Sequence, residues 1–230
     1  MRRETIRTFH RTRRVRLLRL KIMSEIERNR RPIKARSAGW ARKSASFLAG
    51  TNVSPNQVSV ASVLFALIGA ALLVYYPNPA GFIGCALAIQ ARLVCNLLDG
   101  MVAVEGGKKS PLGQIYNEFP DRIADSVLIV ALGCSIGFPS LGWFGALAAA
   151  LTAYVRVFGG SLGLPQDFRG PMAKQQRMAA ITAGCLLGAV EQALNGTQYA
   201  LTVASAVIAV GSVATCLTRT RAIANQLQRT

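Results

Sequence analysis

A polar stretch between positions 96 and 125 carries the side chains of this sequence that could do chemistry. It reads NLLDGMVAVEGGKKSPLGQIYNEFPDRIAD and places carboxylates and amides inside two otherwise apolar segments. Such groups are costly in a membrane interior and are functional candidates by default. We therefore treat Asn96 to Asp125 as the candidate site.

Helical geometry gathers these polar side chains on two faces. At about 100° per residue, four positions of the first segment lie within an arc of about 60°: Arg92, Asn96, Asp99 and Ala103. Four positions of the next segment lie within about 100°: Asn117, Glu118, Asp121 and Asp125. Gly113 lies one turn before them and permits close approach of a ligand or a helix. Oxygen ligands on two facing helices suit a hard cation such as Mg²⁺.

Structural ion pairs are the alternative interpretation of the same residues. Asp99 would then pair with Arg92, and Asp121 or Asp125 with Arg122, to hold a helix bundle together. The number of polar groups at one depth favours a functional site, since packing alone does not need so many.

Composition places the site in a membrane protein. The 230 residues are 51% hydrophobic and only 16% charged, which is typical of an integral membrane chain. The five cysteines occur singly in apolar runs, so they form neither a zinc pattern nor a disulfide framework. The single histidine, His10, lies near the start of the chain, which excludes a histidine-based metal site or catalytic triad in the apolar part. Catalysis would depend on carboxylates.

The chain is predicted to be an all-α integral membrane protein with six transmembrane helices. Six apolar runs are each long enough to cross about 30 Å of hydrocarbon: 58–76, 80–98, 114–136, 141–163, 177–194 and 199–218. An interfacial juxtamembrane helix precedes them, with Trp40 and Phe47 beside Arg42 and Lys43. We expect a basic leader at 1–37, the juxtamembrane helix at 38–50, a six-helix domain at 51–220 and a tail at 221–230.

Basic residues predict the orientation of these helices. The second and fourth connections and the C-terminal tail contain Lys or Arg, whereas the other three connections contain none. Because positive charge is retained in the cytoplasm, both termini and the polar stretch should be cytoplasmic. A bacterial inner membrane is the expected location.

The leader and the juxtamembrane helix hold most of the net charge of +17, since residues 1–50 contain 16 of the 27 Lys and Arg. A nucleic-acid tail and an organelle presequence are alternatives, but contact with anionic lipid is the simplest interpretation for a membrane protein. No nucleic-acid partner is therefore expected. Met23 offers a later start that would leave the polar stretch unchanged.

The polar stretch resembles the motif of the CDP-alcohol phosphatidyltransferase family. That motif is D-x-x-D-G-x-x-A-R, eight residues, then G-x-x-x-D-x-x-x-D. This sequence has the same spacing and matches at five positions: Asp99, Gly100, Ala103, Gly113 and Asp121. It differs at three: Asn96, Val104 and Asn117. The segment TNVSPNQVS, which contains Asn56, is similar to the start of the family's first helix, and the resemblance covers roughly residues 38–220.

The resemblance implies transfer of a phosphatidyl or related phospho-alcohol group from a CDP-linked donor to an alcohol, with release of CMP. It implies that Asn96, Asp99 and Asn117 are metal ligands, with Asp121 a ligand and the general base. Gly100, Ala103 and Gly113 would leave room for the donor. Asn56 is a further candidate for binding the substrate. The donor would be a lipid such as CDP-diacylglycerol, the acceptor an alcohol or alcohol phosphate, and the enzyme a homodimer surrounded by membrane lipids.

The two asparagines predict a weaker metal site. An amide oxygen ligates Mg²⁺ or Mn²⁺ without contributing charge, so the site would hold one or two ions. Asp125 and Glu118 lie on the same face and are further candidate ligands that would restore negative charge. Val104 removes a cation from the phosphate neighbourhood, a role that Lys108 or Lys109 could fill.

A second basic cluster is a candidate anion site. Arg169, Lys174 and Arg177, with Arg156, could bind the donor's diphosphate or an anionic acceptor. The alternative is that these residues only mark a cytoplasmic connection. Two other functions stay open: a catalytically silent member that binds CDP-lipid or scaffolds other enzymes, and a small transporter that uses the buried acids.

Overall fold

The computed structural model of the chain describes residues 38–108 and 112–229, which are folded as seven helices. In chain order these are α1 (Gly39–Ala49), α2 (Pro55–Tyr75), α3 (Pro79–Glu105), α4 (Gly113–Ser135), α5 (Pro139–Ser161), α6 (Lys174–Asn195) and α7 (Tyr199–Leu227). The predicted all-helical class is confirmed. The leader 1–37 and Lys109 lie outside the described residues.

Local sequence signals fix where the helices begin and end. Ser54 and Gln57 form a reciprocal capping box at the start of α2, with Pro55 at the first helical position. Asn78 accepts a hydrogen bond from the backbone N–H of Gly81 and caps α3 in the same way. Gly196 ends α6 with a positive φ of 68°, the left-handed conformation that glycine adopts without strain.

Four helices are long and apolar enough to cross a membrane: α2, α3 over Pro79–Val104, α5 and α7. α4 and α6 have comparable lengths of 23 and 22 residues, but polar side chains near their N-terminal ends lower their mean hydropathy. Large apolar side chains are exposed around the bundle, which is the surface that lipid covers. The chain is thus an integral membrane protein with at least four candidate spans.

Two helices extend beyond the predicted apolar runs. α3 continues to Glu105, so the first half of the polar stretch is helical. α7 continues to Leu227, through most of the predicted tail. Hydropathy detects only the apolar part of a helix, whereas the arginine, alanine and glutamine residues in the extension of α7 continue the backbone hydrogen bonding with favourable helix propensity.

Packing separates α4 from two of its neighbours. α2 packs against both α3 and α4, α5 packs against α4 and α7, and α6 packs against α3 and α7. The backbones of α3 and α4 come close at few points, so these helices meet mainly through side chains. Below this gap, buried residues such as Ile89, Leu128 and Ile181 form the central core. At one end of the bundle, α3, α4 and α6 are therefore bridged by side chains, and we call the space between them the cleft.

α1 lies across the same end. Ala41 and Ala45 are buried against Leu98 and Val102 of α3, while Trp40 and Phe47 are exposed. An apolar face that is only half covered by protein suits the predicted interfacial position.

Candidate active site at the charged end of the bundle

Asp99 of α3 is the more enclosed of the two motif carboxylates. Only 5% of the residue is exposed. Its Oδ2 accepts a hydrogen bond of 2.6 Å from Oγ of Ser59 on α2. The same hydroxyl is 3.2 Å from the Pro55 carbonyl oxygen, so the first turn of α2 holds the serine in place. A short bond to a charged acceptor is among the stronger hydrogen bonds in proteins and fixes the carboxylate.

Asp121 of α4 lies across the cleft from Asp99. The nearest cation is Lys174 at the start of α6, whose Nζ is 2.5 Å from Oδ1 of Asp121. Arg92 and Arg122 are farther away, with Nη2 3.6 Å and 3.9 Å from the carboxylate. Asp99 is within electrostatic reach of both Asp121 and Lys174. The two carboxylates that the motif identifies therefore converge.

Asp125 is one turn deeper on α4 and links three helices. Its Oδ1 is 2.8 Å from Nη2 of Arg92 on α3, and its Oδ2 is 2.7 Å from Nη2 of Arg177 on α6. All three side chains are almost completely buried. Both carboxylate oxygens are used by arginines, so the geometry gives Asp125 a structural role.

The ion pairs agree only in part with the structural alternative, which paired Asp99 with Arg92 and Asp121 or Asp125 with Arg122. Arg92 pairs with Asp125 and does not pair with Asp99. Arg122 lies 3.9 Å from Asp121 and 3.8 Å from Glu118, distances at the outer limit for an ion pair. Helical periodicity had placed Arg92 on the site face of α3, but it could not identify which carboxylate of α4 would face it.

Glu118 is paired with Arg156 of α5. Nη2 of Arg156 is 2.7 Å from Oε1 and 2.8 Å from Oε2 of Glu118. Nη1 of the same arginine donates to Oε1 of Gln166, and its guanidinium carbon lies 5.3 Å from the centre of the Phe168 ring. The carboxylate is thus engaged by an arginine in the same way as Asp125.

Asn96 and Asn117 supply the amides of the motif. Asn96 is half-buried, and its Nδ2 is buried without a hydrogen-bond partner. Turning the amide by 180° would put an oxygen in that position, because the two amide atoms are nearly indistinguishable in shape. Asn117 is exposed near the start of α4.

These residues fit one divalent ion better than two. In the two described ranges, no three Asp, Glu, His or Cys side chains are grouped closely enough to hold a metal. Two converging carboxylates, Asp99 and Asp121, with the amide of Asn96 beside them, provide oxygen ligands with a charge of −2. Lys174 beside Asp121 offsets part of that charge, so these ligands suit one Mg²⁺ or Mn²⁺ better than two.

The small residues of the motif lie where the cleft opens. A Cβ added to Gly113 would meet nothing within 4 Å, so this start of α4 borders open space. Gly100 and Ala103 are half-buried on α3. These observations are consistent with room for a ligand beside Asp99.

A neighbouring cavity of about 370 Å³ lies between the end of α1 and the start of α2. Its lining includes Asn56 and Lys108. Nζ of Lys108 donates to the carbonyl oxygens of Thr51 and Val53, 2.5 and 3.2 Å away. Lys108 therefore ties the connection after α3 to the segment before α2.

The cluster between α5 and α6 divides into two parts. Lys174 reaches the cleft, whereas Arg169 is 69% exposed and pairs with Asp167. Hydrogen bonds from the Arg169 side chain and backbone hold the pKa of the Asp167 carboxyl below its usual range. Arg177 is buried and also donates to the Met172 carbonyl oxygen at 2.8 Å.

Ser59 and Arg219 are the residues whose roles the sequence did not predict. Ser59 belongs to the segment resembling the family's first helix, which is the signal that could have linked it to Asp99. Arg219 of α7 is buried and donates to the carbonyl oxygens of Arg169 and Thr152, at 2.8 and 2.7 Å. It had been assigned only to the basic C-terminal end.

The family model described as CDP-alcohol phosphatidyltransferase matches residues 52–221. The chain belongs to this family. The match confirms the sequence resemblance, and with it the prediction of a membrane transferase acting on a CDP-linked donor and an alcohol.

Curated relatives include two enzymes of inositol lipid synthesis. A phosphatidylinositol phosphate synthase of Streptomyces avermitilis is 28% identical over 185 residues, covering 76% of this chain and 74% of the relative. An archaetidylinositol phosphate synthase of Aeropyrum pernix is 31% identical over 185 residues, covering 80% and 90%.

Solved structures of the Mycobacterium tuberculosis phosphatidylinositol phosphate synthase share the fold. The form with CDP-DAG bound superposes with a TM-score of 0.65 at 20% identity and covers 81% of this chain and 94% of the other. The form in complex with manganese and citrate gives a TM-score of 0.68 at 21% identity, covering 80% and 88%.

Proposed function

We propose that this protein transfers a phosphatidyl group from a CDP-linked lipid such as CDP-diacylglycerol to the hydroxyl of an alcohol, in the cleft between α3, α4 and α6. The convergence of Asp99 and Asp121 from separate helices is the observation that supports this. They are the two aspartates that the chain shares with the family motif, and both are largely buried at the open end.

Asp121 is the proposed general base. A carboxylate oxygen accepts the proton of the acceptor hydroxyl while the hydroxyl oxygen forms a bond to the phosphatidyl phosphorus. The bond from that phosphorus to the CMP oxygen breaks, and CMP leaves with the electron pair. Nζ of Lys174 lies 2.5 Å from Oδ1 of Asp121 and holds the carboxylate at the open end of the cleft.

Asp99, Asn96 and Asp121 are the proposed ligands of one Mg²⁺ or Mn²⁺, and Asn117 completes the set from the rim. The ion would neutralise the donor's diphosphate and the charge that develops on the leaving CMP. Ser59 fixes the orientation of Asp99 for this purpose. Asp125 and Glu118 are not included, since arginines lie within 2.8 Å of both oxygens of each carboxylate, whereas Oδ2 of Asp121 has, among the described side chains, only Arg122, at 3.9 Å.

Substrate contacts are proposed for residues bordering the open part of the cleft. Gly100, Ala103 and Gly113 would accommodate the cytidine and its phosphates. Asn56 and Lys108 line the adjoining cavity, and Lys174 is placed to contact a phosphate oxygen. Arg177 is better placed to position α4 through Asp125 than to touch substrate, because only 1% of it is exposed.

The topology also remains a proposal. We place six spans in the membrane by adding α4 and α6 to the four apolar helices, with α1 at the interface. Both termini and the cleft would face the cytoplasm of a bacterium, where CDP-linked donors and alcohols are available. A homodimer is proposed from the family resemblance.

Asp121→Asn tests this function with little change in shape. Purified protein would be incubated with CDP-diacylglycerol, Mn²⁺ and a panel of alcohols, with CMP and new lipid as readouts. The wild type should release CMP with at least one alcohol, and Asp121→Asn should reduce turnover about 10²–10⁴-fold, the usual contribution of a general base. Asp167→Asn is the matched control, since it makes the same acid-to-amide change outside the cleft. Unchanged turnover in Asp121→Asn would overturn the base assignment.

A catalytically silent protein that binds CDP-lipid is the second candidate. The ion pair of Lys174 with Asp121 and the two amides in the motif favour it, because they reduce the negative charge available for metal. Saturable binding of CDP-diacylglycerol without CMP release from any alcohol would establish this function instead.

A further inference from the structure

Glu118 and Arg156 form the most complete ion pair at the rim of the cleft. The carboxylate receives Nη2 of Arg156 on both oxygens, at 2.7 and 2.8 Å. The guanidinium of Arg156 on α5 is therefore paired with a carboxylate of α4, the helix that also carries the proposed base. Only 11% of the Arg156 side chain is exposed.

Both terminal nitrogens of the Arg156 guanidinium already have a hydrogen-bond partner. Gln166 occupies Nη1, Glu118 occupies Nη2, and the Phe168 ring lies 5.3 Å away. An incoming phosphate would have to displace the carboxylate of Glu118, and the freed carboxylate would then repel it.

The position of this pair relates it to the acceptor. Glu118 is three residues before Asp121 on α4, so the two side chains lie on the same face, one turn apart. An acceptor whose hydroxyl is within hydrogen-bond distance of Asp121 would extend its other substituents towards Glu118 or the donor. Substituents that extend towards Glu118 would meet its negative charge.

The other cations at the rim also lie beside carboxylates, although Nε of Arg122 has no hydrogen-bond partner in the described part of the chain. Lys174 contacts Asp121, and Arg122 lies between Asp121 and Glu118, 3.9 and 3.8 Å away. Arg122, Arg156 and Lys174 therefore face Glu118 and Asp121, with Asp99 across the cleft. Among these described side chains, three positive charges are matched by three negative charges, so there is no net positive charge to bind an anionic acceptor.

We propose that Glu118 determines acceptor specificity by occupying Arg156, and that the acceptor is an alcohol without a phosphate group. This inference rests on the proposed function and specifies the substrate class of the same cleft. It separates this chain from its relatives that are named for phosphatidylinositol phosphate and archaetidylinositol phosphate.

Acceptors that differ only by a phosphate test the proposal directly. Full-length protein in detergent would be assayed with glycerol against glycerol 3-phosphate, and inositol against inositol phosphate, with CDP-diacylglycerol and Mn²⁺ present. The wild type should favour the unphosphorylated member of a pair by about tenfold or more in kcat/KM. Glu118→Gln should shift this ratio about tenfold towards the phosphorylated member, because it removes one charge beside Arg156.

Two controls exclude a general effect of mutation. The ratio of two kcat/KM values does not depend on how much of a variant is folded. Glu118→Asp keeps the charge and should keep the wild-type preference, and Asp167→Asn removes one acidic charge elsewhere at the same end. A wild type that prefers phosphorylated acceptors, or a ratio unchanged in Glu118→Gln, would overturn the proposal.

Binding of inorganic phosphate decides the matter without turnover. If no alcohol yields CMP, the proposed function fails, and titration calorimetry with phosphate still tests the role of Glu118. Glu118→Gln should then bind phosphate at least about tenfold more tightly than the wild type and Asp167→Asn. Equal affinity in the three proteins would contradict the proposed role of Glu118.

Discussion

The two ends of the helix bundle are held together by opposite means. Away from the cleft, α4 and α5 touch through their backbones, and a Cβ added to Gly133 would lie 2.5 Å from Cα of Gly142. At the cleft, α4 is kept apart from α3 and α6 by charged side chains, with Asp125 between Arg92 and Arg177. Small residues thus close one end of the bundle, and long charged residues keep the other open.

This difference indicates how a membrane protein maintains a polar site. Apolar packing alone would close the gap between α3 and α4, because helices in lipid associate through close contact of small residues. A buried ion-pair layer fills the gap without collapsing it, and it leaves Asp121 one turn above, at the open end. The charged layer therefore serves as the floor of the site.

Removing the centre of this floor should have the largest effect. Asp125→Ala would leave Arg92 and Arg177 buried without a carboxylate, which costs about 3–5 kcal/mol when one partner of a buried pair is lost. We expect a strongly lowered unfolding midpoint in detergent and loss of activity, as Asp121 loses its support from Arg92. Thermal unfolding followed by tryptophan fluorescence would measure the first effect.

The matched variant removes all three charges together. Arg92→Met with Asp125→Leu and Arg177→Met replaces the ion pairs by apolar side chains, which is often neutral or stabilising. It should recover most of the stability without recovering activity. A midpoint for Asp125→Ala equal to that of the wild type would show that these ion pairs do not hold the floor.

A disruptive substitution at the closed end should lower the stability of the protein less. Gly133→Leu would insert a side chain where Cα and N of Gly142 lie 2.5 and 2.6 Å from the added Cβ. Overpacking of this kind costs about 1–3 kcal/mol, and we expect the upper part of that range because the obstacle is backbone. Gly39→Ala, whose Cβ meets nothing within 4 Å, is the control for adding a side chain to a helix.

Activity separates the two ends further. Gly133→Leu should lower the unfolding midpoint while the folded fraction keeps its KM for the donor, since the glycine is three turns from Asp121. A large rise in KM would instead show that packing at the closed end controls the geometry of the cleft.

Ser59 provides a smaller and more local change at the open end. Ser59→Ala removes the 2.6 Å hydrogen bond to Asp99, at a cost of about 1.5 kcal/mol for a bond to a charged group. We expect weaker Mn²⁺ binding by calorimetry, because the carboxylate is no longer held in one orientation. Ser59→Thr keeps the hydroxyl and should retain affinity. Equal affinity in Ser59→Ala would indicate that Asp99 does not need this support.

The sequence was most informative where the physics is local. Hydropathy predicted six apolar runs, and each of them lies largely within one of the helices α2 to α7. Periodicity placed Asp99 and Asp121 on inward faces, and the motif spacing led to the family. The extent of α3 and α7 was underestimated, because a helix can continue after its apolar part has ended.

Side-chain partners were less accessible, because they depend on how distant helices rotate against one another. Glu118 and Asp125 looked like spare metal ligands on the face of α4. Arg156, 38 positions from Glu118, and Arg177, 52 positions from Asp125, are their partners in the fold. Spacing in the sequence does not show which residues pair over such separations. The negative charge on this face of α4 was therefore predictable, but the arginines that neutralise it were not.

The loop between α5 and α6 should give the smallest effect, since it lies outside both the packed end and the buried floor. The pKa of Asp167 is lowered mainly by its hydrogen bond with Arg169. The pair therefore stabilises the fold at pH values above the ordinary carboxyl pKa of 3.8, and this contribution is lost as the pH falls below that value. Arg169 is mostly exposed, so solvent screening limits the contribution to about 0.5 kcal/mol or less. Unfolding midpoints of the wild type and Asp167→Asn should thus differ slightly at pH 7 and converge as the pH falls through the lowered pKa of Asp167. A difference that grows on acidification would show that Asp167 stabilises the loop by means other than its charge.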